Sequence, residues 1–210
     1  MDIDKEFEDG LIAPDRLVGA TLSQDLAGLN GDWTILPERS GGMMDIVELL
    51  GLDKLDRMAW ELSLQLSAPR LSLTYTHTPE GHYPILRVNC HRHLGFEYIR
   101  DVTFDGKLKN HIHLRDLVPC PPLQHMSSGF DEGQLLAVES KGQLLVKYDM
   151  QKGTLYMTRV LLKEDPLHEI DSPLTLSKYC VVNKAKNTKH AVYRYHRKTR
   201  ENPATAEEDW

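Results

Sequence analysis

The sequence predicts a mainly β protein: a ten-stranded antiparallel up-and-down β-barrel with a two-helix lid between its first and second strands. Three observations predict it. Apolar and polar residues alternate with a period of two in short segments from Arg70 to Lys198. Apolar residues recur at helical spacing between Met43 and Leu66. Most of the alternating segments are joined by short turn signals, which favours pairing between neighbours in sequence. A barrel of this kind encloses a cavity, and a small, mostly apolar molecule is its natural occupant.

The elements follow in order. Residues 1–27 form an acidic N-terminal extension ending in a weak apolar pattern (Leu11, Ile12, Leu17, Leu22, Leu26). It either packs on the barrel or forms a free arm. The barrel is expected over residues 28–198, and its first strand runs from Asp32 through Trp33 to Arg39. Ser40 is placed as the N-cap of a helix carrying Met43, Met44, Ile46, Val47, Leu49 and Leu50, with Gly51 at its stop. A second helical pattern carries Leu52, Leu55, Met58, Ala59 and Leu62, and Pro69 ends it.

Strands then read at 70–77, 83–90, 95–104, 107–116, 135–140, 144–149, 154–162, 174–182 and 189–197. Asp105-Gly106, Lys141-Gly142, Lys152-Gly153 and Lys186-Asn187 supply turns, the first being a strong hairpin signal. Two connections are long: a Pro-rich insertion over 117–133 and an acidic stretch over 163–173. Residues 199–210 are polar and acidic and are expected to be a disordered tail.

Composition narrows the function classes. The 210 residues carry a formal net charge of -6, which argues against a nucleic-acid partner. No apolar stretch reaches the length of a membrane span. The acidic start, MDIDKEFEDG, lacks the basic and apolar regions of a secretory signal. Cys90, Cys120 and Cys180 are odd in number and widely spaced, which argues against a disulfide framework. The expected location is cytoplasmic.

Three stretches resemble the intracellular lipid-binding proteins, the calycin-superfamily group of fatty-acid- and retinoid-binding proteins. The first is Gly31-x-Trp33 followed by Ser40 through Leu50-Gly51. The second is Leu55 to Arg57 in the second helical pattern. The third is the run Val102-Thr103-Phe104-Asp105-Gly106-Lys107-Leu108-Lys109-Asn110, then Ile112 and Leu114. The resemblance covers residues 29–162 and extends to 198. It implies a ten-stranded barrel under a helix-turn-helix lid, with a guest inside that passes in near the lid. Many members of that family close with Arg-x-Tyr on the last strand, which clamps a carboxylate together with an earlier Arg. Here Ala191 stands where the arginine is expected, and Arg194 is out of phase with Tyr193. The fatty-acid clamp is therefore expected to be missing.

Polar residues in phase with apolar strand faces are the candidate ligand anchors. They are Tyr75, His77, Tyr98, Arg100, Tyr148, Arg159, Tyr193 and Tyr195. An inward Arg100 or Arg159 would hold an anionic head group by charge-assisted hydrogen bonds, and a one-residue slip would turn either to water. His91-x-His93 and His111-x-His113 put paired rings on single strand faces, as a metal site requires. Those faces also carry Arg87, Lys107, Lys109 and Arg115, so the pairs are read as exterior and no metal or other cofactor is expected. No Gly-x-Ser-x-Gly element is present, and Cys90 and Cys180 read as packing residues.

The leading expectation is a carrier that binds a fatty-acid-, terpenoid- or polyketide-like molecule. The alternative is an enzyme on the same barrel, an isomerase, cyclase or lyase without metal or covalent nucleophile. It would use His77, Tyr98 and Arg100 on an apolar substrate. Lys184, Lys186, Lys189, Arg194, Arg197, Lys198 and Arg200 give the C-terminal hairpin a basic character suited to transient contact with an anionic membrane surface.

Overall fold

A computed structural model of the chain describes residues 8–42, 70–91, 97–113, 132–151, 153–164, 173–184 and 186–199. The two expected lid helices, His93, Cys120, most of the 117–133 insertion and the acidic tail from Arg200 lie outside them. So do the side chains of Cys90, His91, Tyr98 and His113 within otherwise described strands.

Ten strands form one antiparallel meander. They are β2 (Gly31–Ile35), β3 (Arg70–His77), β4 (Pro84–His91), β5 (Glu97–Thr103), β6 (Lys109–His113), β7 (Glu132–Ser140), β8 (Gln143–Asp149), β9 (Gly153–Glu164), β10 (Leu174–Asn183) and β11 (Thr188–Lys198). The lateral order is β5-β4-β3-β2-β11-β10-β9-β8-β7-β6, so the first strand of the meander pairs with the last. A two-residue strand β1 (Thr21–Leu22) adds to the far end of β9. No helix among the described residues is long and apolar enough to cross a membrane.

The sheet curls, but its ladder does not close. No backbone pairing joins β5 to β6 among the described residues. The expected Asp105-Gly106 hairpin is a turn without a hairpin. Gly106 takes φ +66° and Lys107 N donates to Asp105 Oδ1 at 3.1 Å. Gly106 N then donates to Ala137 O of β7 at 3.0 Å, so the turn crosses to a different strand. Leu108, expected on the inner face, is left 54% exposed in that crossing. By contrast Lys141-Gly142 has both residues at positive φ (51° and 73°) and makes the tight hairpin its sequence signals. The first strand also ends earlier than its pattern predicts. Pro37 cannot donate to a ladder, and Pro37–Arg39 turn as a short 3-10 helix instead.

Alternate residues build the interior: Trp33, Leu71, Leu73, Leu86, Val88, Val102, Phe104, Leu144, Val146, Leu155 and Met157 belong to one buried cluster. The opposite faces of β8, β9 and β10 are apolar as well. Val160, Leu162, Leu174 and Leu176 form a second cluster with Ile12, Leu17 and Leu22, and Leu145, Tyr156 and Cys180 form a third with Leu11. The N-terminal segment therefore lies on the barrel wall, settling the choice between a packed and a free arm for its described part. It continues through β1 into a 3-10 turn, Leu26–Leu29, whose two leucines enter the interior cluster. Trp33 Nε1 donates to Leu29 O at 2.8 Å and ties that turn to β2.

Candidate ligand cavity

Strand register stacks the inner face of β8–β11 into cross-strand rows. One row is Leu144, Arg159, Ser177 and Arg194. The row toward the turn at 149–153 is Val146, Met157, Tyr179 and Val192. The row on the other side is Leu161, Thr175 and His196, next to Ile35 of β2. Polar groups thus form a band between apolar rows. Arg159 is buried and its Nε donates to Ser177 Oγ at 3.1 Å.

Arg100 reaches this band from the other side of the curl. Its Nη1 lies 3.9 Å from Met157 Sδ, and its Nε is buried with no hydrogen-bond partner. Thr175 Oγ1 and His196 Nδ1, on directly paired residues, are buried and unpartnered too. Burial pushes the His196 imidazole down to about 2, and the nearby Arg159 and Arg194 charges push the same way. His196 is therefore neutral at physiological pH. Arg100, Met157, Arg159, Ser177 and Tyr179 share a pocket with Leu86, Val88, Val102 and Phe104, and its volume is about 30 Å³. That space suits a water rather than a lipid chain, so a larger guest must displace side chains.

The expected anchors fall into three groups. Arg100, Arg159 and Tyr148 face inward; Tyr148 is buried and its hydroxyl donates to Ile112 O at 2.6 Å. Tyr75 is half-buried against the same interior, with its hydroxyl 3.4 Å from Glu139. Burial, then the Glu139 carboxylate, raises that phenol to about 12. His77 continues the face of Tyr75 but is exposed at the strand end. It pairs with Pro84 while Arg100 pairs with Val88, a separation of about 13 Å along β4. His77 and Arg100 of the proposed trio therefore lie apart, and the Tyr98 side chain is outside the described residues.

Tyr193 and Tyr195 are on the outer wall, not in the cavity. Arg16 stacks 4.7 Å over the first ring and Arg39 4.4 Å over the second. The inner phase of β11 belongs to Val192, Arg194 and His196. The expected Arg-x-Tyr pair is thus not on the inner face of β11, which instead carries Arg194-x-His196, three residues further along the strand. The missed signal was the N-terminal apolar pattern, which needs an apolar outer face to cover.

Of the expected exterior histidines, His111 is exposed and its Nδ1 lies 2.8 Å from Glu132 Oε1. It occupies a bulge at φ +58°. Two cations of the basic hairpin are already engaged: Lys184 with Asp149 at 2.8 Å and Lys189 with Asp9. Cys180 is buried and packs with Leu145 and Tyr156.

No family model and no curated protein matches the sequence. Among solved structures, the chain is similar to lipid binding protein 8 of Caenorhabditis elegans, at 12% identity over 86% of this chain and 100% of that one, with a TM-score of 0.51. It is also similar to fatty-acid-binding protein 1 of Echinococcus granulosus, at 16% identity over 82% of this chain and 98% of that one, with a TM-score of 0.47. The chain shares the fold of that lipid binding protein of Caenorhabditis elegans.

Proposed function

We propose that this protein binds an apolar small molecule bearing an anionic end inside its curled sheet. Arg100 carries the reading. A guanidinium with a buried, unpartnered Nε amid apolar side chains is costly unless a guest completes its hydrogen bonds. Arg159, Ser177 and Arg194 in one cross-strand row, with His196 in the next, support it by lining the inner face with polar groups. Tyr75, Tyr98 and Tyr148 are retained as wall anchors. On the last strand that role falls to Arg194 and His196 rather than to the outward Tyr193 and Tyr195, and the exposed His77 has no part in it. The names of the structural neighbours, a lipid binding protein and a fatty-acid-binding protein, agree with this class of ligand. Met157 beside Arg100 is a flexible side chain able to yield space.

The test is displacement of 1-anilinonaphthalene-8-sulfonate by oleate and by uncharged methyl oleate. Oleate is expected to displace the probe, and Arg100→Leu to weaken oleate about 10-fold while leaving the ester little changed, as one charge-assisted hydrogen bond requires. Failure of both lipids to compete, or equal loss for both in the variant, would overturn the proposal.

A further inference from the structure

The outer wall of β8–β11 reads the chain's own N-terminus group by group. Lys178, buried on the outer face of β10, donates from Nζ to Asp9 O and Leu11 O, each at 2.6 Å. Gln143 Oε1 accepts from Ile12 N at 3.1 Å. Thr158 donates to Gly10 O, and Lys189 pairs with the Asp9 carboxylate. Leu11 packs in the cluster of Leu145, Tyr156 and Cys180, while Ile12 packs in that of Val160, Leu162, Leu174 and Leu176. Any side chain between Asp9 and Leu11 would have to push its neighbours aside. A Cβ on Gly10 would stand 2.6 Å from Leu145 Cδ1 and 2.8 Å from Tyr156 Cδ1.

A segment held only by hydrophobic burial would need none of this. Here backbone acceptors, a backbone donor, one carboxylate, one glycine and two apolar side chains each meet a matching group of the wall. Peptide recognition has this form, with main-chain hydrogen bonds for affinity and side-chain pockets for specificity, here around a turn at residues 8–10. The fully polar partners Lys178, Gln143 and Thr158 are all buried, and that is tolerable only while the segment satisfies them.

We infer that this wall is a second binding site, distinct from the cavity, for a turn-forming peptide of the form Asp-Gly-Leu-Ile, and that residues 9–12 occupy it in cis as an intramolecular competitor. Its occupant in trans is a peptide of the same chemistry. Tethering gives the cis segment an effective concentration of roughly millimolar or more, so a free peptide at micromolar concentration does not displace it from the native chain. Gly19, at φ +76° beside the exposed Val18, forms the turn between this segment and β1.

The test uses the full chain with a fluorescein-labelled peptide of residues 8–17 and fluorescence anisotropy. Gly10→Val dislodges the cis segment and leaves every receptor residue intact. Peptide binding at least about 10-fold tighter to this variant than to the unaltered protein is expected. The same peptide carrying the Gly10→Val change is expected not to bind. Asp9→Lys, which sets like charge against Lys189, is a second opening variant should the first lose its near-ultraviolet circular dichroism. Equal binding to opened and unaltered protein, no binding to either opened variant, or binding of the Gly10→Val peptide as tight as the parent would each overturn the inference.

Discussion

His196 is 2% exposed, neutral, and set beside two arginines, so its protonation is tied to folding. Its ordinary value is 6.5 and its folded value about 2. Below about pH 6.5 the unfolded chain takes up a proton that the folded chain refuses, so stability falls as pH falls, toward a limit of about 1.4 kcal/mol per pH unit. His196→Gln removes that contribution. Urea unfolding between pH 4 and 7 is expected to show a shallower acid limb for the variant by about 1 kcal/mol per unit. Identical slopes would show that the imidazole is not held neutral. Arg100 and Arg159 were legible in the sequence because each stands in phase with apolar neighbours on a well-marked strand. Arg194 and His196 were not. Tyr193 and Tyr195 make an equally regular alternation one residue away, and a period of two cannot say which face is inside when both faces are buried.

At the level of elements, β9 and β10 pack backbone to backbone at Gly153. A Cβ there would stand 2.5 Å from Val182 O, which belongs to the ladder and cannot move aside. Gly153→Ala is expected to cost about 1–3 kcal/mol in thermal or urea unfolding. Gly42→Ala, where nothing lies within 4 Å, is expected to be neutral within about 0.5 kcal/mol. Equal effects would show that the close approach is relieved by a backbone shift. All ten strands of the meander were legible because each carries its own alternation and is bounded by glycine, proline or asparagine. The ends were less so. Pro37 stops β2 early, and the β5–β6 turn looks like a hairpin in sequence because local turn chemistry carries no information about whether the flanking strands diverge.

For the whole molecule, burial is uneven around the curl. Every residue from Thr154 to Leu162 and from Leu174 to Lys178 is buried, because the N-terminal segment covers the outside while the cavity wall covers the inside. At the other side β5 has Ile99 55% exposed and, among the described residues, no ladder partner beyond β4. Hydrogen–deuterium exchange should follow this asymmetry. Amides of β9 and β10 are expected to open only with global unfolding, and those of β5 and β6 to exchange at least about 10-fold faster. Uniform protection around the sheet would contradict it.

The contact of Lys189 with Asp9 spans 180 positions in the chain. During synthesis Leu11 and Ile12 leave the ribosome long before β10 and β11 exist to receive them, so the first-made part of this wall is the last to find its place. Until then its counterpart face stays wet and adhesive, and growing chains in the same cell are exposed to mispairing through that one surface.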